Sequence, residues 1–423
     1  MKYSLIKPVL AIVLLAFGLT IPAGAYPIDG YVLTGIRRLA RLQAVLNDEI
    51  KDAKPIVGAQ KSIDDIQLNL TGARGDSLET LPPVDPVLQK ALDGLFPNMH
   101  ESYSITLLDI TPGRVVRFAE RQANRGFQPG SVGKLAVVTG FFCELETIYP
   151  DSFAQRQELL RTKMVRAGRW ALPNEHTVPF YDPETKKFFK RTLQVQDVFS
   201  LYEWLDHMLS VSSNGAASVV WREAMLMRAF GPEYPELIES RADSFFQATP
   251  KSRITEIAMS VVNDPLREIG ITEDEWRLGS LFTSEAKRLA PGAGGSIATP
   301  RGLMKFMIAM ERGKIFDPET SLEIKRLLYM TDRRIRYAAS PALKEAAVYF
   351  KSGSLYKCKP EEGFKCGKYM GNVDNYMNSV AIVEHPDSTT YMVALMSNVL
   401  RKNSNIDHNA LGSKIDRIFR PGK

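Results

Sequence analysis

Three short stretches hold residues whose types and spacing suit one reaction. The first is Ser131-x-x-Lys134, entered through Pro129-Gly130 and continued by an apolar run through Phe141, Phe142 and Leu145. Residues three apart share a helix face. The spacing therefore predicts the Lys134 amine one turn above Ser131, within reach of its hydroxyl. A buried amine beside a second cation loses its proton and can act as a base. A serine at a helix start also lies near free backbone N–H groups able to hold an oxyanion. The second stretch is Ser212-x-Asn214, a polar turn between two helical runs. The third is Lys351-Ser352-Gly353-Ser354, closing a predicted strand. Alone, each is an ordinary helix start, cap or strand end. Their specificity lies in their order and in the local structure around each.

The elements that must position them are legible from periodicity. Asp85-Pro86 caps a short helix with Val87, Leu88, Leu92 and Leu95. Ser102–Ile110 and Arg114–Ala119 read as strands joined by a Thr-Pro-Gly turn. Residues 150–211 are mostly helical in pattern, interrupted by an excursion from Trp170 to Phe189. The span Val195–Leu209 reads as helix, and so does most of 215–285, broken at Pro250, Pro265 and Gly270. A loop from Leu281 to Ala298 precedes a helix capped by Thr299-Pro300, and another helix spans Pro318–Leu328. Val348–Gly353, Asn378–Glu384 and Tyr391–Met396 are strands, and a helix near Ile406–Phe419 closes the chain. An antiparallel sheet built from both chain ends, with helices segregated beside it, fits this order.

The N-terminus reads as a secretory signal over residues 1–25. Lys2 and Lys7 precede an apolar core, Val9–Leu19, and Ala23-Gly24-Ala25 is a cleavage pattern. An uncleaved anchor is the alternative. A periplasmic or secreted location follows. Residues 26–82 read as an amphipathic helix (Leu39, Leu42, Leu46, Ile50) and a loosely packed linker arm. The helix carries Arg37, Arg38 and Arg41 on its other face. That face is either solvated or lies on a wall polymer or membrane surface. The main domain is expected over 83–423. Net charge is +6, and about +4 without Lys2 and Lys7, too mild to propose nucleic acid as a partner. The five histidines and three cysteines show no metal-ligand spacing, and no motif requires a cofactor. Cys358 and Cys366 flank a short polar segment. They either close a hairpin tip or remain free thiols, and Cys143 reads as a small buried hydrophobe.

Ser131-x-x-Lys134, Ser212-x-Asn214 and Lys351-Ser352-Gly353, in that order, resemble the penicillin-recognising serine enzymes: serine β-lactamases and D-alanyl-D-alanine peptidases. The surroundings resemble class A β-lactamases. Gly215-Ala216-Ala217 follows the second motif, and Thr299-Pro300 follows a Pro-Gly loop. The resemblance spans roughly Pro83 to Lys423. It implies an α+β, β-lactamase/transpeptidase-like fold, an antiparallel five-stranded sheet flanked by helices with a large all-helical subdomain. It also implies roles. Ser131 would be the nucleophile and Lys134 the base or part of a relay. Ser212 would carry a proton to the departing nitrogen. Asn214 would bind the acyl amide, and Lys351, Ser352 and Gly353 would bind the substrate carboxylate. The N–H groups of Ser131 and Ser354 would hold the oxyanion. The implied ligand is a β-lactam or a peptidoglycan peptide. The implied activity is opening a β-lactam amide through an acyl-enzyme. A D-alanyl-D-alanine carboxypeptidase and a non-catalytic wall-fragment binder are the alternatives.

The sequence departs from the class A pattern. Ser213 stands where the second motif has aspartate, which bears on turn stability. Longer spacings imply insertions near Trp170–Phe189 and Phe245–Asp274. The loop carboxylate that activates hydrolytic water has one candidate, Glu285. It lies closer to Pro291 than the pattern requires and lacks the following asparagine. Glu285 is thus either that base or a solvated charge. Without a base, a β-lactam would acylate Ser131 and leave slowly.

Overall fold

The structure, a computed structural model, describes residues 28–329 and 334–422. The expected signal segment lies outside the described residues. One antiparallel sheet organises the fold. Its strands are β1 (Ser104–Asp109), β2 (Arg117–Arg121), β3 (Ala347–Lys357), β4 (Asp374–Glu384) and β5 (Thr390–Asn398), in spatial order β2-β1-β5-β4-β3. Both chain ends supply strands, as the sequence predicts. The β3–β4 ladder runs further than predicted, because Leu355, Tyr356 and Lys357 pair with Tyr376, Asn375 and Asp374. Those β3 residues are exposed, so they give no apolar alternation to read.

Side chains alternate across a strand, and β5 shows the consequence. Tyr391, Val393 and Leu395 face a smaller core with Leu88, Leu92, Leu411, Ile415 and Phe419. Met392, Ala394 and Met396 face the larger core beneath the helical subdomain. The sheet is thus covered on both faces. The helix Pro86–Asp93 begins as predicted, with Asp85 Oδ1 accepting from Leu88 N at 2.7 Å.

The helix Lys134–Ile148 is buried at every position from Lys134 to Leu145. A helix apolar all round belongs in an interior. A Cβ at Gly140 would lie 2.1 Å from Val261 O, so glycine permits the close crossing of the helix Lys251–Glu268. That helix runs through Pro265, where the sequence predicts a break. The excursion contains a hairpin, Thr177–Tyr181 with Phe188–Thr192. The helix predicted from Val195 begins later, at Leu201. Val198–Ser200 forms a short strand against Met164–Arg166, and Ser200 Oγ caps the helix by accepting from Glu203 N.

The N-terminal arm is not loose. Ile28, Ile36, Leu39, Ile66, Leu70 and Leu78 are buried in the larger core. Arg37 pairs with Glu203 at 2.7 Å, Arg38 with Asp206 at 2.6 Å, and Arg41 with Asp52. The basic face, read as solvated or lying on a wall or membrane surface, therefore pairs with carboxylates of this chain. Further along, Lys61 Nζ and Asn69 Nδ2 each reach Glu384 at 2.8 Å. Buried Lys325 sits 2.7 Å from both Glu311 and Glu384. Tyr349 Oη donates to the same Glu384 at 3.0 Å.

Candidate active site

The three motifs converge. Gly130–Gly133 forms a single 3-10 turn leading into the helix at Lys134. Ser131 therefore stands just before the helix that carries Lys134, rather than within it. Lys134 Nζ lies 3.0 Å from Ser131 Oγ, 2.6 Å from Ser212 O, 2.8 Å from Asn214 Oδ1 and 3.3 Å from Ser212 Oγ. A carbonyl and an amide oxygen accept only. In a neutral amine they take the two N–H protons and leave the lone pair for a hydroxyl. Lys134 is held well below the ordinary lysine pKa, first by burial and then by the Lys351 charge.

The second motif is shaped to reach this amine. Ser212 has φ +60°, a left-handed conformation costly for serine. Ser213 then caps the helix Asn214–Phe230, its Oγ accepting from Ala216 N at 3.1 Å. Serine thus does at this position the capping work open to aspartate.

The third motif arrives from β3. Lys351 Nζ donates to Ser212 Oγ at 2.8 Å and to Ser352 O at 3.1 Å. Burial first, then the Arg336 charge, lowers its pKa to about 7. Ser212 Oγ thus lies between two amines. At Gly353 a Cβ would lie 2.1 Å from Pro129 O and 3.1 Å from Ser131 N. Gly130 has φ +54°, and a Cβ there would lie 2.8 Å from Ser354 N. Two glycines therefore let the strand edge meet the serine turn backbone to backbone.

Several contributing residues carry no motif. Asn378, beside Gly353 in the β3–β4 register, donates to Gln128 O at 2.9 Å and Pro129 O at 3.0 Å. It ties the serine turn to the sheet. Its only sequence signal is an amide shortly before the apolar run Val380–Val383. Buried Arg336 donates to Gly353 O at 2.7 Å and Ser354 Oγ at 3.0 Å. Nothing local announces it. The Phe282 ring centroid lies 5.1 Å from Lys134 Nζ.

Glu285 is placed elsewhere. It pairs with Arg169 at 2.8 Å and with Arg288, and makes no hydrogen bond to the motif residues. Its side chain is largely shielded, so it is not a solvated charge either. Cys358 and Cys366 form a disulfide, and Cys143 is a buried free thiol. Among the described residues no group of His, Cys, Asp and Glu is placed to hold a metal ion.

A five-stranded antiparallel sheet with a helical subdomain, and a Ser–Lys–Ser–Lys cluster where they meet, define an α+β fold of the β-lactamase/transpeptidase kind. The model of the β-lactamase enzyme family matches residues 87–417, and the chain belongs to that family. No curated protein matches. Among solved structures, a β-lactamase from Chitinophaga pinensis DSM 2588 is 12% identical. It aligns over 80% of this chain and 100% of its own, with a TM-score of 0.50. The extended-spectrum β-lactamase TLA-3 is 11% identical over 79% and 97%, with a TM-score of 0.50. PBP-A is 13% identical over 81% and 98%, at 0.48. The first two likenesses extend to the fold.

Proposed function

We propose that this protein is an exported acyl-serine enzyme that opens the amide of a β-lactam or of a D-alanyl-D-alanine peptide on Ser131. The observation that carries the reading is the Lys134 amine, 3.0 Å from Ser131 Oγ and held by two acceptor oxygens, Ser212 O and Asn214 Oδ1. In acylation, Ser131 Oγ bonds to the carbonyl carbon and its proton passes to Lys134. The oxyanion lies between the N–H groups of Ser131 and Ser354. Such donors, fixed in advance, typically contribute on the order of 10²-fold or more. The C–N bond breaks as Ser212, between Lys134 and Lys351, delivers a proton to the nitrogen. Lys351 and Ser352 hold the ligand carboxylate, and Asn214 the acyl amide.

Release of the acyl group is slow in this reading. Hydrolysis needs a base for water, and the side chain whose ring lies 5.1 Å from the Lys134 amine is Phe282. Glu285 is committed to Arg169 and Arg288. The protein then behaves towards β-lactams as a penicillin-binding protein more than as an efficient β-lactamase. The test is intact mass after brief and long incubation with benzylpenicillin. A one-to-one adduct that persists, and that Ser131→Ala abolishes, is expected. An adduct of equal yield on Ser131→Ala would overturn the assignment, and fast turnover would overturn the slow release.

A further inference from the structure

The helix Arg37–Leu46 of the N-terminal arm precedes the stretch shared with the family, yet it grips the support of the Ser212 turn. Arg38 donates from Nε and Nη2 to the two carboxylate oxygens of Asp206, at 2.6 Å each, and both side chains are buried. Arg37 holds Glu203 in the same two-pronged way, at 2.7 and 3.1 Å. A planar fork on a carboxylate fixes orientation as well as distance. Asp206 lies in the last turn of the helix Leu201–Leu209. An anion at that end opposes the helix dipole, and the Arg38 guanidinium compensates it.

The turn hangs from Asp206 and its neighbour. Asp206 O accepts from Ser210 N at 2.8 Å and from Ser210 Oγ at 2.7 Å. His207 O accepts from Ser213 N at 3.0 Å. Between these anchors Ser212 keeps its left-handed backbone, with its O on Lys134 Nζ and its Oγ on Lys351 Nζ. The His207 ring stands edge-on to Phe199, 4.7 Å between centroids, and the Arg37 guanidinium lies 5.5 Å from the same Phe199 centroid. A second support comes from Asn174, whose Oδ1 accepts from Ser213 Oγ at 3.3 Å and Gly215 N at 3.4 Å. Asn174 leads into the hairpin that contains Phe188, and the Arg41 guanidinium lies 4.0 Å from the Phe188 ring centroid. Three arginines of one helix thus bear on both supports of one turn.

We infer that the N-terminal arm is a working part of the acyl-transfer site, and that Arg38, acting through Asp206, is a positioning residue for Ser212. A strained backbone persists only where its surroundings over-determine it. Without Arg38, Asp206 is a buried charge with its clamp removed, at the unfavourable end of a helix. The last turn of that helix then moves towards water and carries Ser210, Ser212 and Ser213 with it. Ser212 leaves its place between the two lysine amines, where it relays the proton. A misplacement of about 1 Å can cost on the order of 10²-fold in rate. The inference rests on Ser131 being the acyl acceptor.

Quenched-flow intact mass at rising benzylpenicillin concentration separates the limiting acylation rate from the half-saturating concentration. Arg38→Gln should lower the limiting rate about tenfold, the cost of a sub-ångström shift. The half-saturating concentration should move less, because Lys351 and Ser352 on β3 still hold the carboxylate. Arg38→Lys keeps the charge without the fork, and its rate should fall between. Arg38→Leu combined with Asp206→Leu leaves no buried charge unpaired, so it supplies folded protein without the clamp, and its limiting rate should also be low. Lys61→Met removes an arm contact to Glu384 instead and should keep the wild-type rate. A wild-type limiting rate in folded Arg38→Gln or in the double variant would overturn the assignment, as would an equal fall in Lys61→Met. Failure of the acyl-serine reading would show separately, as absence of any adduct on the wild-type chain.

Discussion

Lys134 and Phe282 face one another, the amine 5.1 Å from the ring centroid. A ring there packs against the amine, but it cannot draw a proton from water. Phe282→Glu places a carboxylate in that position. Release of the penicilloyl group should quicken by on the order of 10²-fold, the typical contribution of a general base. Time-resolved intact mass reads the release directly. An unchanged lifetime would mean that some other step limits release.

The two lysines predict a bell-shaped pH profile for acylation. Lys134 must be neutral to accept the serine proton, and its pKa lies well below the ordinary lysine value. Lys351 must be charged to hold a carboxylate, and its pKa in the free protein is about 7. The second-order acylation rate should rise as pH climbs through the Lys134 value and fall as pH climbs past about 7. A flat alkaline limb up to the ordinary lysine range would remove Lys351 from carboxylate binding.

Asn378→Ala should cost both stability and acylation. Gln128 O would lose its Asn378 donor, and Pro129 O would keep only Val132 N, at 3.2 Å. Leaving such a group unsatisfied costs about 1–3 kcal/mol. The acylation rate should drop about tenfold as Ser131 loses its fixed position. Thermal melting and benzylpenicillin labelling measure the two effects. A normal labelling rate in a destabilised variant would limit Asn378 to the fold.

Lys325→Met should be the most damaging of the arm-side variants. Lys325 is the buried cation between Glu311 and Glu384. Removing one member of a buried ion cluster costs about 3–5 kcal/mol, which denaturant unfolding would detect. Lys61→Met, half-exposed at the edge of the cluster, should cost less. Burial alone would raise the Glu384 pKa, but the Lys325 and Lys61 charges outweigh it and bring it to about 2. Its folded value is below its unfolded one. Its stabilisation is therefore complete above the ordinary glutamate range and is lost as pH falls through about 2. Equal stability of Lys325→Met and the wild type would contradict this.

By itself the sequence determined the order of elements and the three motifs. Apolar periodicity is a local record of burial, and a turn or cap needs only neighbouring residues. That is why β1, β5 and the Lys134 helix were legible, and why Ser131, Lys134, Ser212, Asn214 and Lys351 were found together. The tertiary structure alone decided who meets whom across the chain. It gave Arg37 and Arg38 to Glu203 and Asp206, Glu285 to Arg169 and Arg288, Arg336 to Ser354, and the Phe282 ring to Lys134. A charge leaves no periodic mark of its partner, and a ring on a loop leaves none of the amine it covers. Those pairings exist only once distant segments are packed.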